Sequence, residues 1–314
     1  MQNKPSIQSN PEQDTKEFYK AFILVALGSF LFSSKAIMIK LTLPLVPEVI
    51  EALALRMMFA LPFYLFVAIR QAKVSKVPMS RNQYLQVMGL GFLGYYLASY
   101  LDFYGLQYVS AGTERMLIYL FPSFVVILNA LFFGKPIRPY MIKALALTYF
   151  GISMVYFGDA DLSHPLAWLG VCAVALSAFV FSFFLIWNNR LIQEIGADRF
   201  TSHAMIWSSI LVVSHFLIMG EPSNVLDWNL EVLILGFALG LFGTVLPSIF
   251  INRSIAIIGS DKMAVLSMIG PFATLGLGIV ILNETVGILE AIGFTLVLAG
   301  VYWIKKGGDK ESKI

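Results

Sequence analysis

Among the ionisable side chains that interrupt otherwise apolar stretches of this chain are Lys35, Lys40, Arg56, Asp102, Glu114 and Arg115. A charged group in hydrocarbon costs about 3 kcal/mol or more, so it faces a cavity, a water path or a partner. Lys35, which follows Ser33 and Ser34 in the middle of the first apolar run, is the costliest. As a free cation it would receive a carboxylate or phosphate. As half of a structural pair it would meet Asp102 or Glu114, or its stem would snorkel along the helix. Lys40 and Arg56 read as snorkelling or helix-bracing groups. Arg115 shares a helical stripe with Tyr119, Pro122 and Val126, which would let it reach an anionic ligand beside Tyr119. The competing reading is a weak ion pair at a loop edge with Asp102 or Glu114. A carboxylate facing a cavity also suits proton coupling, and Asp102 and Glu114 are the candidates, with Glu51 as a third.

Uncharged polar groups extend the list. Tyr96, Tyr100 and Tyr119 fall in mid-run, where an aromatic hydroxyl suits a cavity wall. Thr244, Ser248 and Asn252 recur every four residues beside Pro247, a stripe fit for a wet cavity or for hydrogen bonds between helices. Pro122 and Pro271 each free a backbone carbonyl inside an apolar run and are candidate gating hinges, a static kink being the alternative. His203 and His215 lack ligand spacing to another histidine and read as structural, while Trp187 at a run's end reads as part of an interfacial belt.

Several chemistries find no support. Cys172 is the single cysteine, so neither an internal disulfide nor a cysteine-based metal cluster can form. Gly89-Leu-Gly91-Phe-Leu-Gly94 has the letters of a dinucleotide fingerprint but lies in an apolar run without the strand that motif requires. Close helix packing explains it better, as it does Gly236 and Gly240. There is no Walker motif, hence no direct drive by ATP, and no HExxH or nucleophile elbow. The expectation is a non-enzyme without cofactor, metal or nucleic-acid partner, whose partners are a small-molecule substrate and the lipid bilayer.

The elements that must hold these residues are membrane helices. Of the 314 residues 58% are hydrophobic and 13% charged, and mean hydropathy is +0.77; a soluble domain of that composition would expose too much apolar surface. A span of ~30 Å of hydrocarbon takes about 20 apolar residues. Ten such runs are found, at 20–42, 47–69, 84–104, 112–133, 139–157, 165–188, 200–219, 231–251, 262–282 and 286–304. Residues 1–19, polar and without a signal-peptide pattern, read as a disordered cytoplasmic tail, and 305–314 as a short basic tail. With the N-terminus in the cytoplasm, eighteen of the 22 lysines and arginines fall in cytoplasmic segments and only Arg115 on the far side. Both termini are then cytoplasmic, as expected for a bacterial inner (plasma) membrane protein.

The chain also repeats itself. At an offset of 149 residues Pro122 aligns with Pro271, Gly151 with Gly300, and Phe30, Phe32 and Ser33 with Phe179, Phe181 and Ser182. Each half, 20–157 and 165–304, holds five runs, and an odd number sets the second half upside down relative to the first. The expected fold is therefore an all-α polytopic membrane protein of ten transmembrane helices in two inverted five-helix repeats, with function where they meet.

Lys40, the segment LALRMMFA containing Arg56, and the proline-bearing helix that ends in a short turn resemble the drug/metabolite transporter superfamily. Within it the chain is most similar to the EamA-type, ten-helix branch. Pro122, Gly134–Lys135 and Gly151 carry the pattern in the first half; Pro271, Asn283–Glu284 and Gly300 carry it in the second. The turn has Lys135 where that family has glutamate, and Glu284 keeps the acid. A positive-inside bias accounts for the difference and argues against a chemical role for either. The resemblance implies a secondary transporter, and export of a small polar metabolite such as an amino acid or related compound. A nucleobase, cofactor or sugar derivative is the alternative cargo. A membrane-embedded enzyme would need convergent catalytic groups, and a scaffold would not need a buried Lys35.

Overall fold

The computed structural model describes residues 11–46, 48–74, 78–118, 120–134, 139–158, 165–267, 270–283 and 286–311, and all regular structure among them is helical. The first repeat comprises α1 (Pro11–Thr42), α2 (Val49–Val74), α3 (Arg81–Gly91) continued through a π-turn (Phe92–Leu97) into α4 (Ala98–Gly105), α5 (Ala111–Ile118) followed by α6 (Phe121–Phe133), and α7 (Pro139–Gly158). The second comprises α8 (Ala167–Ile195), α9 (Ala197–Met219), α10 (Leu230–Gly240) continued through a π-turn (Leu241–Val245) into α11 (Leu246–Leu266), α12 (Gly270–Leu282) and α13 (Ile288–Glu311). α11 carries a non-helical Gly259 (φ 79°), where the eighth span gives way to the ninth. Among the described residues these helices group into ten spans, five per repeat. Six stretches are long and apolar enough to cross a bilayer by themselves, with mean hydropathy of 1.5 to 2.5: the first, second, fourth and sixth to eighth spans.

The ends differ from the sequence expectation. α1 starts at Pro11, so the polar residues from there to Tyr19 prolong the first helix rather than forming a tail, and α13 runs on to Glu311. Both extensions are polar helix beyond the apolar run, which a hydropathy count truncates. Residues 1–10 and 312–314 lie outside the described residues, as do Lys135 and Glu284.

The repeat is visible in local stereochemistry. Ser80 caps α3 by accepting from the Gln83 N–H at 3.2 Å, and Gln83 Oε1 accepts from the Ser80 N–H at 3.0 Å, closing a capping box. Its counterpart 149 residues on, Asn229, caps α10 by accepting from the Val232 N–H at 2.9 Å. α6 ends on Gly134 at φ 61°, and its counterpart Asn283 ends α12 at φ 55°. Left-handed backbone favours glycine and, after it, asparagine, so one turn geometry is held by two residue types. The two π-turns start at Phe92 and Leu241, again 149 apart.

Packing follows the same pseudo-two-fold. α1 of the first repeat lies against α11 and α12 of the second, and α8 lies against α4, α5 and α6 of the first. α2 and α9 pair, as do α7 and α13. In the last pair Gly151 is close enough that a Cβ there would stand 2.6 Å from the Gly293 carbonyl oxygen, a small-residue contact of the kind that holds helices together where no hydrophobic drive exists between them. Large apolar side chains such as Phe66, Ile218 and Val280 point outward; on a water-soluble domain that belt would be an aggregation surface, and in lipid it is the solvent contact.

Candidate functional site

The charged residues of the first repeat converge at the centre of the bundle. α1 places Lys35 and α4 places Asp102 so that Nζ donates to Oδ2 at 2.6 Å. α5 carries Glu114 and Arg115, both buried, with Arg115 Nε 3.9 Å from Glu114 Oε2 and Arg115 Nη2 donating to the Phe32 carbonyl at 2.6 Å. They do not lie at a solvent-exposed loop edge. α5 lies inside the bundle against α1 and α8, which loop-edge reasoning from sequence misses. Arg56, on α2, is 3% exposed. Its guanidinium carbon stands 5.0 Å from the centre of the Phe103 ring, and Nη2 finds only the Tyr95 carbonyl at 3.5 Å and the Met57 sulfur at 4.0 Å.

These groups border a cavity of about 1010 Å³, its open mouth included. Lys35, Arg56, Asp102 and Arg115 line it, as do Thr244 and Ser248. Much of the wall comes in pairs 149 residues apart: Phe32 with Phe181, Gly94 with Gly243, Ser99 with Ser248. The cavity therefore lies on the pseudo-two-fold axis between the repeats. Both π-turns contribute to it through Gly94 and Tyr95, and through Gly243 and Thr244. A π-turn inserts one residue and rotates the following face, a distortion frequent at functional sites. Thr244 Oγ1 reaches back five residues to the Leu239 carbonyl at 2.9 Å, taking up backbone capacity at the turn.

That rotation also redirects the tyrosines. Tyr95, not Tyr96 or Tyr100, faces the cavity. Tyr96 instead hydrogen-bonds His215 Nδ1 at 2.8 Å, and the Tyr100 ring lies 5.5 Å from the same imidazole, so mid-run position alone did not tell which tyrosine lines the cavity. The polar stripe on the eighth span divides as well. Ser248 shares a 2.7 Å hydrogen bond with the Tyr64 hydroxyl, whereas Asn252 lies outside the lining and donates to Tyr95 Oη at 2.7 Å and Thr201 Oγ1 at 2.8 Å. Asn252 thus positions Tyr95. Glu51, the third carboxylate, accepts from the Trp228 indole at 2.6 Å and is a structural group. Tyr119 lies outside the described residues. Sequence reasoning read Arg56 as a snorkelling or bracing group, whereas the structure puts it in the cavity wall; the usable signal was a guanidinium eight residues into an apolar helix with no acid three or four residues away.

Pro122 is the second residue of α6, which follows the turn residue Leu120, and there a missing N–H costs nothing because first-turn N–H groups have no helical acceptor. Pro271 is the second described residue of α12. Each proline-bearing helix is met from the opposite repeat by a serine of the equivalent pair. Ser33 Oγ lies 2.7 Å from its own helix's Ser29 carbonyl and 2.7 Å from the Gly270 carbonyl that opens α12. Ser182 Oγ lies 2.7 Å from the Ala178 carbonyl and 3.0 Å from the Phe121 carbonyl that opens α6. Loss of either hydroxyl should cost about 1 kcal/mol, and the double variant Ser33→Ala/Ser182→Ala should lose the sum. Melting of the purified protein checks this; two very unequal losses would contradict the equivalence of the two contacts.

The comparisons with known proteins agree with this architecture. The sequence profile of the EamA-like transporter family matches twice, over residues 19–157 and 168–305. A Bacillus subtilis (strain 168) protein named as the uncharacterized transporter YcbK is 25% identical over 313 residues, 97% of this chain and 100% of its own length. An uncharacterized transporter of Archaeoglobus fulgidus is 25% identical over 219 residues, 69% of this chain and 76% of its own length. A crystal structure titled only as that of a protein superposes with a TM-score of 0.64 at 17% identity, covering 90% of this chain and 96% of its own, a likeness of fold.

Proposed function

The chain belongs to the EamA-like transporter family, and from that premise we propose that it is a secondary exporter of a small polar metabolite, working by alternating access about the interface of its two inverted repeats. That it is an integral membrane transporter follows from the family and the apolar spans. The observation that carries the rest is the cavity whose wall comes in equivalent pairs from the two repeats. A rocking motion of one repeat against the other opens such a cavity to each side in turn, with Pro122 and Pro271 as the candidate hinges. Both termini lie in the cytoplasm of a bacterial inner membrane on this reading, because the lysines and arginines of the loops then fall on the inner side. Asp102 and Glu114 are the groups able to take up a proton within reach of the cargo, since Asp102 Oδ1 and Glu114 Oε2 are buried without a hydrogen-bond partner among the described residues.

Reconstitution into liposomes tests the proposal. Saturable counterflow of a labelled metabolite from a panel of amino acids and related acids is expected, together with concentrative flux when a pH gradient is imposed. Flux equal to that of protein-free liposomes across the panel would reject transport of this cargo class. Flux indifferent to the gradient would remove Asp102 and Glu114 as proton carriers.

A further inference from the structure

Among the described residues that line the cavity, the charges are confined to one repeat. The positions equivalent to Lys35, Arg56 and Asp102 are Phe184, Met205 and Ile251, and the position equivalent to Glu114 is Met263. Met205, Ile251 and Met263 line the cavity themselves, and Phe184 packs against Gly94, which does. One wall is therefore ionic and the facing wall apolar, although the backbone that builds them is the same.

Within the ionic wall the charges are not equivalent. Lys35 donates to Asp102 at 2.6 Å, and Arg115 Nε stands 3.9 Å from Glu114 Oε2, at the limit of an ion pair. Arg56 has no carboxylate within ion-pair distance among the described residues, and its Nε is buried with no hydrogen-bond partner. A guanidinium presents five N–H donors in a fork; this one is 3% exposed and uses only Nη2, at the outer limit of hydrogen-bond distance. With the two pairs neutral, the formal charge left at the wall is a single positive one, on a group shaped for a carboxylate.

We propose that Arg56 is the anchor of the binding site and that the cargo is an organic monoanion with a compact apolar body. Its carboxylate engages the Arg56 guanidinium and its body lies against Met205, Phe181 and Leu185 of the second repeat. Lys35 and Arg115, the cations that the sequence puts forward first, hold their own acids and shape the wall. A dianion would leave one charge unmatched in a low-dielectric site, and a cation would oppose Arg56 directly. This inference rests on the transporter reading of the same cavity and narrows its cargo.

Equilibrium binding to the purified chain in nanodiscs tests it without requiring flux. Phenylacetate, phenylacetamide, acetate and phenylalanine are the probes, read by titration calorimetry and by ligand-induced melting shifts. The native protein should bind phenylacetate at least tenfold more tightly than each of the other three. Arg56→Gln should reduce the preference for acid over amide to about one, and Arg56→Lys should restore part of it. If Arg56→Gln does not fold, the ranking by the native protein still decides. Equal binding of acid and amide, tighter binding of phenylalanine, no saturable binding of phenylacetate, or a preference that survives in Arg56→Gln would each overturn the assignment. Binding with no flux would instead count against transport while leaving the Arg56 site standing.

Discussion

Lys35→Ala should destabilise the purified protein by about 3–5 kcal/mol, the usual cost of breaking a buried ion pair by removing one partner. Asp102 is 2% exposed, its Oδ2 depends on Lys35 Nζ, and its Oδ1 already lacks a hydrogen-bond partner. Without the lysine an uncompensated charge remains in the middle of the bundle. Asp102→Asn should be costly for the mirror reason. The double variant Lys35→Phe/Asp102→Ile installs in the first repeat the residues that the second repeat holds at the equivalent positions, Phe184 and Ile251. It should recover most of the loss, since apolar replacement of both members of a buried pair is often near neutral. There is room for the ring: Gly243, against which Lys35 packs, has no side chain, as Gly94 has none against Phe184. Melting temperatures of the four proteins in one detergent measure the effect. A double variant as unstable as Lys35→Ala would mean that the lysine is needed for something other than matching Asp102.

How much of this was legible in the sequence depends on what each feature is made of. The span count, the repeat and its inversion are written in composition and in pairs such as Pro122–Pro271, because a bilayer imposes length and apolarity on every helix alike. The pairing of Lys35 with Asp102 was one of few options, since a membrane lysine must find an acid. The facing of the tyrosines was not legible. Tyr95 and Tyr96 lie inside the π-turn at Phe92–Leu97, where the wider turn changes which side chain faces inward; Tyr95 takes the cavity and Tyr96 goes to His215. No residue type announces a π-turn. Arg56 was read as a bracing group for a related reason: whether it faces an acid depends on which acids are already engaged, and that is a property of three-dimensional pairing.

Gly94→Ala should cost about 1–3 kcal/mol, the range for overpacking a filled core, while Gly243→Ala, at the equivalent position, should be nearly neutral. A Cβ on Gly94 would stand 2.4 Å from two carbons of the Phe184 ring. That ring cannot step aside: it is 2% exposed and held by Tyr95 at 4.9 Å, Phe181 at 5.6 Å and Phe200 at 6.1 Å. A Cβ on Gly243 would meet the Leu239 methyl at 3.1 Å and the Lys35 stem at 3.5 Å, flexible neighbours that can yield by a few tenths of an ångström. Melting temperatures should separate the two variants, and Phe184→Leu in the Gly94→Ala background should return part of the loss, a coupling that distant sites do not show. Equal losses would mean that the two repeats pack their first and sixth spans alike despite carrying lysine and phenylalanine. Unequal losses would show that the replacement of phenylalanine by lysine at one position of the repeat left the glycine beneath it free to vary. The ionic wall then exists because a shared backbone tolerates a charged residue on one side of the axis, where Gly243 gives its stem room, and demands an apolar one on the other.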